Sequence, residues 1–592
     1  MYMAWLVILA VIGAAGMLSA QELAEEKVVV TANAYPVPFE NLARAVSVLT
    51  SADIGNVPVR SLLDAVAHTV AMDIRPRSPL GMQADISMRG SSFSQVLVLV
   101  DGVRINDSQT GHHNADFPVQ MQDVERVEIL RGPGSSLYGA DALGGIVNII
   151  TRRGVEPARF SITWGQNGLV EGSFGAGVRK GDWEQSLSVT AGRAAGFMFD
   201  RDFRHISLSS RTRMGSDSTL FISHVNKEFG AHGFYGPSPS REWTNQTFVS
   251  FEHRSGNTSG PEHTYLAYYR THGDRFLYDI RAPGFFENTH RTHAAGAMAK
   301  ARRILDHAFA LALGAEVGGD WIRSSNLGDH AYVRTSLYGE GQWTPRSTVV
   351  LYPGLRVDCY SRFGVALSPS VSGSWWIKPR LRLRSSAGRA FRIPSFTELY
   401  YRDPNHQAES ALKPESAWAA EIGADLVPAR GWIASLAVFR RHERNVIDWV
   451  RNSPGEKWRT ANLRRIKTSG LELGAEREIK QHGRISINYS FISIDAGRVD
   501  YSSKYVLDYA RHCGSVAASF SLPLALRYQQ RLIYKMRSGG RSYWLVDGRL
   551  ERDFGRFTAA IDGTNLLNTH YQEVVGVDMP GRWLALSVRA RL

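Results

Sequence analysis

Residues 124–153 read VERVEILRGPGSSLYGADALGGIVNIITRR, and the fold turns on this stretch. Two runs rich in Val and Ile, Val124–Leu130 and Ile146–Thr151, have the composition of β-strands. Between them Gly132, Pro133, Gly134, Gly139, Gly144 and Gly145 make the chain too rich in Gly and Pro for regular structure. Such glycines open backbone conformations closed to other residues and let two chains approach closely. Upstream the chain reads as a small mixed α/β unit, downstream as strand upon strand. The stretch marks the hinge between the two architectures.

In the upstream unit, Ala45–Leu49 is expected as a strand, and Ser61–Val70 places Leu62, Leu63, Val66 and Val70 on one helical face. Asp85–Gly90 and Gln95–Val100 predict two further strands, the second running into Asp101-Gly102, a hairpin-type turn. Arg89 would be costly to bury unpaired, so a carboxylate such as Asp101 or Glu128 is the expected partner.

Beyond residue 155 the pattern has period two. Val170, Gly172, Phe174, Ala176 and Val178 alternate with Glu171, Ser173, Gly175 and Gly177. The turn-like Arg179-Lys180-Gly181-Asp182 follows, and Trp183, Gln185, Leu187, Val189 and Ala191 then alternate with small and polar residues. Trp432–Phe439, Gly514–Leu522, Trp544–Leu550 and the terminal Leu584–Leu592 repeat the pattern, which is apolar-out, polar-in membrane-barrel patterning. The 438 residues from 155 to 592 allow roughly 22 strands at about 20 residues for each strand with its share of turn and loop.

Composition narrows the class. Mean hydropathy is −0.22, and no long apolar run follows residue 20, which excludes a helical membrane protein but not a barrel, whose strands average out. The net charge of +13 is spread along the whole chain among acids. It is therefore read as solvated strand faces, loops and anionic-lipid contacts rather than nucleic-acid binding. Cys359 and Cys513 lie far apart without any Cys/His cluster, so two unpaired barrel residues are expected and no metal ligand set is assigned. Residues 1–20, apolar and ending in small residues, are expected as a signal peptide, although no Lys or Arg stands near the start.

The opening stretch resembles the end of the plug domain of TonB-dependent outer-membrane transporters, through Glu125, Arg126, Glu128, Arg131, Gly132, Pro133, Tyr138, Gly139, Gly144, Gly145, Asn148 and Ile149. Arg89 and Gly90, with Asp101 and Gly102, resemble an earlier plug signature. In the later chain Phe391–Tyr400 with Leu412–Glu415, Asn462 with Thr468–Glu472, and Asn565–Tyr571 are similar to three barrel elements of the same family. The resemblance implies an all-β membrane protein: an antiparallel transmembrane β-barrel (155–592) occluded by an N-terminal mixed α/β plug (34–154). It implies residence in the bacterial outer membrane, contact with its lipid, a monomer, and no catalysis. No G-x-S-x-G nucleophile elbow and no phosphate-binding loop occurs. Within 21–33, Lys27, Val28, Val29, Val30, Thr31 and Ala32 resemble the TonB box, an extended peptide that adds as a strand to the periplasmic energy-coupling protein TonB.

The polar segment Asn106–Pro118, with Gln109, His112, His113 and Asn114, is expected to face a small-molecule metal chelate. Phe234, Tyr235 and Trp243, in an aromatic, Gly- and Pro-rich loop, are candidates either for stacking on a flat ligand or for an interfacial girdle. His406 is a candidate haem ligand. The compact length and the early EKVVVTAN are most similar to the cobalamin branch, so a corrinoid is the first candidate substrate. A ferric siderophore or haem is the alternative, and a passive porin or adhesin the alternative of another class. No cofactor is expected. The branch's acidic calcium cluster is represented only by Asp200, Asp202 and Glu228, which leaves calcium open rather than assigned.

Overall fold

The computed structural model describes residues 33–38, 41–256, 260–429, 431–479 and 483–592. The expected signal peptide and the run Lys27–Ala32 lie outside the described residues.

The plug is built on one five-stranded sheet. Its strands are β1 (Val46–Thr50), β4 (Val96–Val100), β5 (Val103–Arg104), β6 (Val124–Arg131) and β7 (Gly145–Thr151), in the order β1-β6-β7-β4-β5. A separate hairpin pairs β2 (Met72–Pro76) with β3 (Ala84–Met88). Both sheet faces are covered. Val98, Val127, Val147 and Ile149 pack into one apolar cluster, and Leu97, Leu99, Leu130 and Ile146 pack on the other side with Val350 and Tyr352 of the barrel wall. Strands buried on both faces read as continuous apolar runs, as VLVLV does. Asp101 (φ 49°) and Gly102 (φ 83°) form the β4–β5 turn, with both central residues in the left-handed region as a type I′ hairpin requires. Gly145 is a point of contact: a Cβ there would lie 2.4 Å from the Leu130 carbonyl oxygen and against the Met88 sulfur. The expected helix is shorter than its periodicity suggests, Leu62–Val66 under a Ser61/Asp64 capping box, because the chain turns at His68–Val70 to enter β2.

Twenty-two antiparallel strands, from Arg159–Gly165 to Trp583–Arg591, close on themselves, the last pairing with the first. Closure leaves no sheet edge in the membrane. Along each strand the faces alternate: Glu421 is 5% exposed beside Ile422 at 70%. Short turns such as Gly181-Asp182 lie at one end and long connections such as 393–414 and 565–582 at the other, the asymmetry of periplasmic turns and extracellular loops. Trp432–Arg451 and Trp458–Ile479, of 20 and 22 residues, far exceed the about 9–11 residues a membrane crossing needs. Their upper parts form a wall above the bilayer. Cys359 and Cys513 are both free.

Two expectations change here. Arg89 is not held by Asp101 or Glu128 but by barrel glutamates: Glu421 at 2.5 Å and Glu472 at 2.5 Å, with the Phe439 ring 4.4 Å away. Arg131 joins the same Glu472 at 3.0 Å. Asp101 instead accepts from Arg211 and Thr151, and Glu128 from Arg126. Nor is all of the basic charge solvated. Arg270, Arg356, Arg392 and Arg537 are buried inner-wall residues. Several wall cations donate to plug carbonyls: Arg531 to Asp64, Arg549 to Val59, Lys535 to Ile74, and Arg356 to Leu137. These carbonyls belong to two short helices, a loop and β2 of the plug, and long cations reach them across the lumen.

Arg89→Ala leaves Glu421 and Glu472 with too little buried positive charge. It is expected to cost about 3–5 kcal/mol, read as a lower urea midpoint for plug protection in hydrogen exchange while the barrel transition stays put.

Candidate substrate site at the plug apex

Beyond β5 the chain folds back over the top of the plug as residues 106–118. Asn106 docks this loop on β4: its side-chain oxygen accepts from Val98 N at 2.7 Å and its amide donates to the Val96 carbonyl at 2.9 Å. Asp107 ties it to the wall, accepting from Arg270 at 2.8 Å and Thr292 at 2.8 Å. Asn114 accepts from Asp107 N at 3.1 Å and donates to the Phe93 carbonyl at 3.3 Å. Thr110 caps the short turn Gly111–His113, which presents the two histidines.

Above the loop lies a cavity of about 460 Å³. Its floor is Phe93, Gln109, His112 and His113 of the plug, and its sides include Tyr235, Phe276, Tyr401, His406, Trp449, Trp458, Lys504 and Tyr505. His112 stacks on Phe93, with centroids 4.3 Å apart, and its Nδ1 lies 2.7 Å from Asp85, which also holds Arg77 at 2.9 Å. Burial, aided by Arg77, pushes His112 down to about 4 against the pull of Asp85. The ring is therefore neutral at pH 7. With Nδ1–H given to the carboxylate, its Nε2 is a lone-pair acceptor.

His113 points the other way. Burial lowers its pKa, but a hydrogen bond with Asp274 at 3.4 Å and the nearby Glu242 and Asp116 raise it to about 10. Its ring lies 4.6 Å from that of His272. Gln109 donates to Asp274 at 2.9 Å.

The remaining predicted residues separate. Tyr235 is in the cavity wall, its hydroxyl bonded to Gln83. Phe234, next in sequence, is instead buried among Phe229, Val577 and Trp583, with Arg201 over its ring at 4.7 Å. Trp243 follows the inward Glu242 on its strand and so faces outward, its ring covered by Arg275 at 4.6 Å; it belongs to the outer surface and not to the cavity. Asn114 braces the loop from behind. His406 is in the wall, but both its ring nitrogens are engaged, by Asp403 at 2.9 Å and Lys504 at 2.8 Å. Asp202 and Glu228 both hold Arg241, at 2.9 and 2.8 Å, so those oxygens are taken by a guanidinium. The wall residues Trp449, Trp458, Lys504 and Tyr505 were not singled out from the sequence. The available signal was the unusual length of the period-two pattern on either side of NSPGEK at 452–457.

A barrel closed in the membrane, a folded plug inside it and a cavity over the plug define an energised outer-membrane transporter. The plug matches the family model "TonB-dependent Receptor Plug Domain" over residues 38–146 and the barrel matches "TonB dependent receptor-like, beta-barrel" over 150–566; the chain belongs to the TonB-dependent receptor family. Among curated proteins it is 24% identical to the vitamin B12 transporter BtuB of Photobacterium profundum over 493 residues, 78% of this chain and 77% of that protein. It is 25% identical to BtuB of Vibrio vulnificus over 473 residues, 74% and 73% of the two chains. Among solved structures it superposes on a mutant of the ferric enterobactin receptor PfeA of Pseudomonas aeruginosa (TM-score 0.76, 18% identity, 93% and 98% covered). It also superposes on the siderophore receptor PirA of Acinetobacter baumannii (TM-score 0.77, 16% identity, 93% and 98% covered). At such identities the likeness to the solved structures speaks for the fold alone. The protein is therefore an outer-membrane, TonB-dependent transporter of a small molecule and not an enzyme.

Asp107→Ala is expected to release the apical loop, since Arg270 is left buried without its carboxylate. Amide exchange should quicken across 106–118 and stay unchanged in β4.

Proposed function

We propose that the transported molecule is a cobalamin-type corrinoid, taken first into the cavity over His112. The observation that carries this reading is the sign of the cavity wall. Glu242, Asp274, Glu398, Asp403, Asp448 and Glu456 outnumber Arg451, Lys457, Lys504 and the positively charged His113. A ferric catecholate is a polyanion and a haem carries propionates; like charges brought together at an interface cost several kcal/mol. A corrinoid is close to neutral and fringed with amides, which suit a wall of mixed donors and acceptors. Phe93, Tyr235, Phe276 and Trp449 offer apolar surface to its ring. The vitamin B12 transporters among its relatives support the same reading. Haem ligation by His406 would have to displace Lys504 or Asp403 from its ring nitrogens.

Lys27–Ala32 is assigned as the strand that pairs with TonB, transmitting force to the plug of a monomeric receptor. Deleting Lys27–Ala32 is expected to abolish uptake at unchanged surface level; undiminished uptake would overturn the assignment of this run as the TonB-pairing segment.

The substrate is tested by tryptophan quenching of the detergent-solubilised protein with cyanocobalamin, haemin and a ferric catecholate. Saturable binding of cyanocobalamin alone is expected, and saturation by the catecholate alone overturns the assignment. Tyr235→Ala should weaken cyanocobalamin roughly tenfold or more, as loss of a buried aromatic anchor does. Phe234→Ala should lower stability by about 3–5 kcal/mol as a cavity-forming change.

A further inference from the structure

At and behind the cavity floor, plug and wall meet in a buried group of imidazoles and carboxylates, of which His113, Glu242 and Asp274 also border the cavity. The plug contributes His113 and Asp116, and the wall His272, Glu242 and Asp274; all are buried. Ligand atoms of His113, Asp116 and His272 lie within 4.8 Å of one another, as do those of His113, Glu242 and Asp274. We propose that this seam is a binding site for a divalent first-row transition ion of the zinc type, held by His113 Nδ1, Asp116 Oδ2 and His272 Nε2.

The spacing supports it. Neighbouring ligand atoms on a tetrahedral zinc with bonds of about 2.0–2.1 Å stand about 3.3 Å apart. His272 Nε2 is 3.0 Å from Asp116 Oδ2, His113 Nδ1 is 3.8 Å from the same oxygen, and Glu242 Oε1 is 4.0 Å from His113 Nδ1. Small side-chain shifts bring the His113, Asp116 and His272 atoms onto one ion, with Glu242 beside it and a coordination position left for water.

The outer groups are those a metal site requires. Metal-ligating histidines usually give their other ring nitrogen to a carboxylate, which fixes the ring and raises its basicity. Here the far nitrogen of His113 faces Asp274 at 3.4 Å and that of His272 faces Asp107 at 3.6 Å. The second oxygen of Asp116 is held by Lys227 at 2.9 Å.

Charge provides a separate reason. The carboxylates around the group are Asp107, Asp116, Glu242 and Asp274. The permanent cations facing them are Lys227 and Arg270, with His290 the remaining titratable neighbour. The carboxylates outnumber the permanent cations, so the group favours added positive charge, carried by protons or by a dication; buried charges persist when paired or coordinated to metal. Asp274 Oδ1 and His272 Nδ1 are buried without any hydrogen-bond partner, so the polar group is not satisfied as it stands. Mixed imidazole and carboxylate ligands suit zinc, cobalt(II), iron(II) and manganese(II) better than a soft copper(I). An ion there would staple the plug's apical loop to the wall beneath the substrate.

The test uses the full-length protein in detergent, stripped with a chelator and titrated with Zn²⁺ against a chromophoric competitor. One saturable equivalent is expected. His113→Gln and His272→Gln should each weaken it at least a hundredfold, and Asp274→Asn by roughly ten- to a hundredfold, as for a carboxylate behind a ligand. Folding of each variant is checked by the unboiled gel mobility of the barrel. Should a variant not fold, Co²⁺ added to the stripped wild type decides, because a tetrahedral nitrogen–oxygen site gives an intense visible band. Absence of a saturable equivalent in the wild type, equal affinity in both histidine variants, or a featureless Co²⁺ spectrum overturns the site. The histidines would then carry the compensating protons themselves. The outcome is independent of the substrate assignment, since Zn²⁺ binding without cyanocobalamin binding removes the corrinoid and leaves the metal.

Discussion

A barrel of 22 strands is too wide for its own side chains to fill, and an open lumen would leave the outer membrane permeable. Everything else in the molecule answers to that constraint. The filling must be a folded body with its own core, yet its outer surface must match a lumen lined by the polar face of every strand. The seam between the two is consequently built from charges. Arg89 and Arg131 reach from the plug into Glu421 and Glu472, and wall cations reach inward to plug carbonyls. Contacts of this kind hold firmly when every member is satisfied and give way when a member is withdrawn, unlike the apolar packing inside the plug sheet. A plug that has to seal at rest and rearrange under force is well served by such a seam.

The same seam determines what the apex can do. Because Asp107 and Asn106 pin the apical loop to wall and sheet, the loop offers fixed groups at the cavity floor. Its adjacent histidines face different surroundings. His112 is desolvated between Phe93 and Asp85 and stays neutral at the base of the cavity. His113, one residue on, is turned into the carboxylates of the wall and favours positive charge. A ligand settling on the first histidine therefore bears on the loop that carries the second, at the place where plug and wall are joined.

The barrel's alternation, its closing strand and the plug's continuous apolar runs were legible along the chain because each depends on local periodicity: side chains of a strand alternate, and a doubly buried strand does not. The close approach in the glycine-rich stretch was legible because only glycine tolerates the contact found at Gly145. That stretch, however, joins β6 to β7 within the plug sheet, through a short helix at Ser135–Tyr138, and is not itself the hinge to the barrel. Aromatic content near residue 234, by contrast, could not say which ring faces the ligand. Phe234 and Tyr235 are neighbours, and the turn between them sends one into an apolar cluster and the other into the cavity.

What the sequence by itself determined was the kind of molecule: strand number, plug, and the segment at the apex, all properties of pattern within short windows. The tertiary structure alone decided the partners. Arg89 meets Glu472 across 383 residues of chain, and His113 meets His272 and Glu242 from strands far along the barrel. The wall residues Trp449 and Lys504 join the cavity only because the strands close into a ring. Pairings of that kind are set by barrel closure and by how the plug sits within it, and no local spacing encodes either.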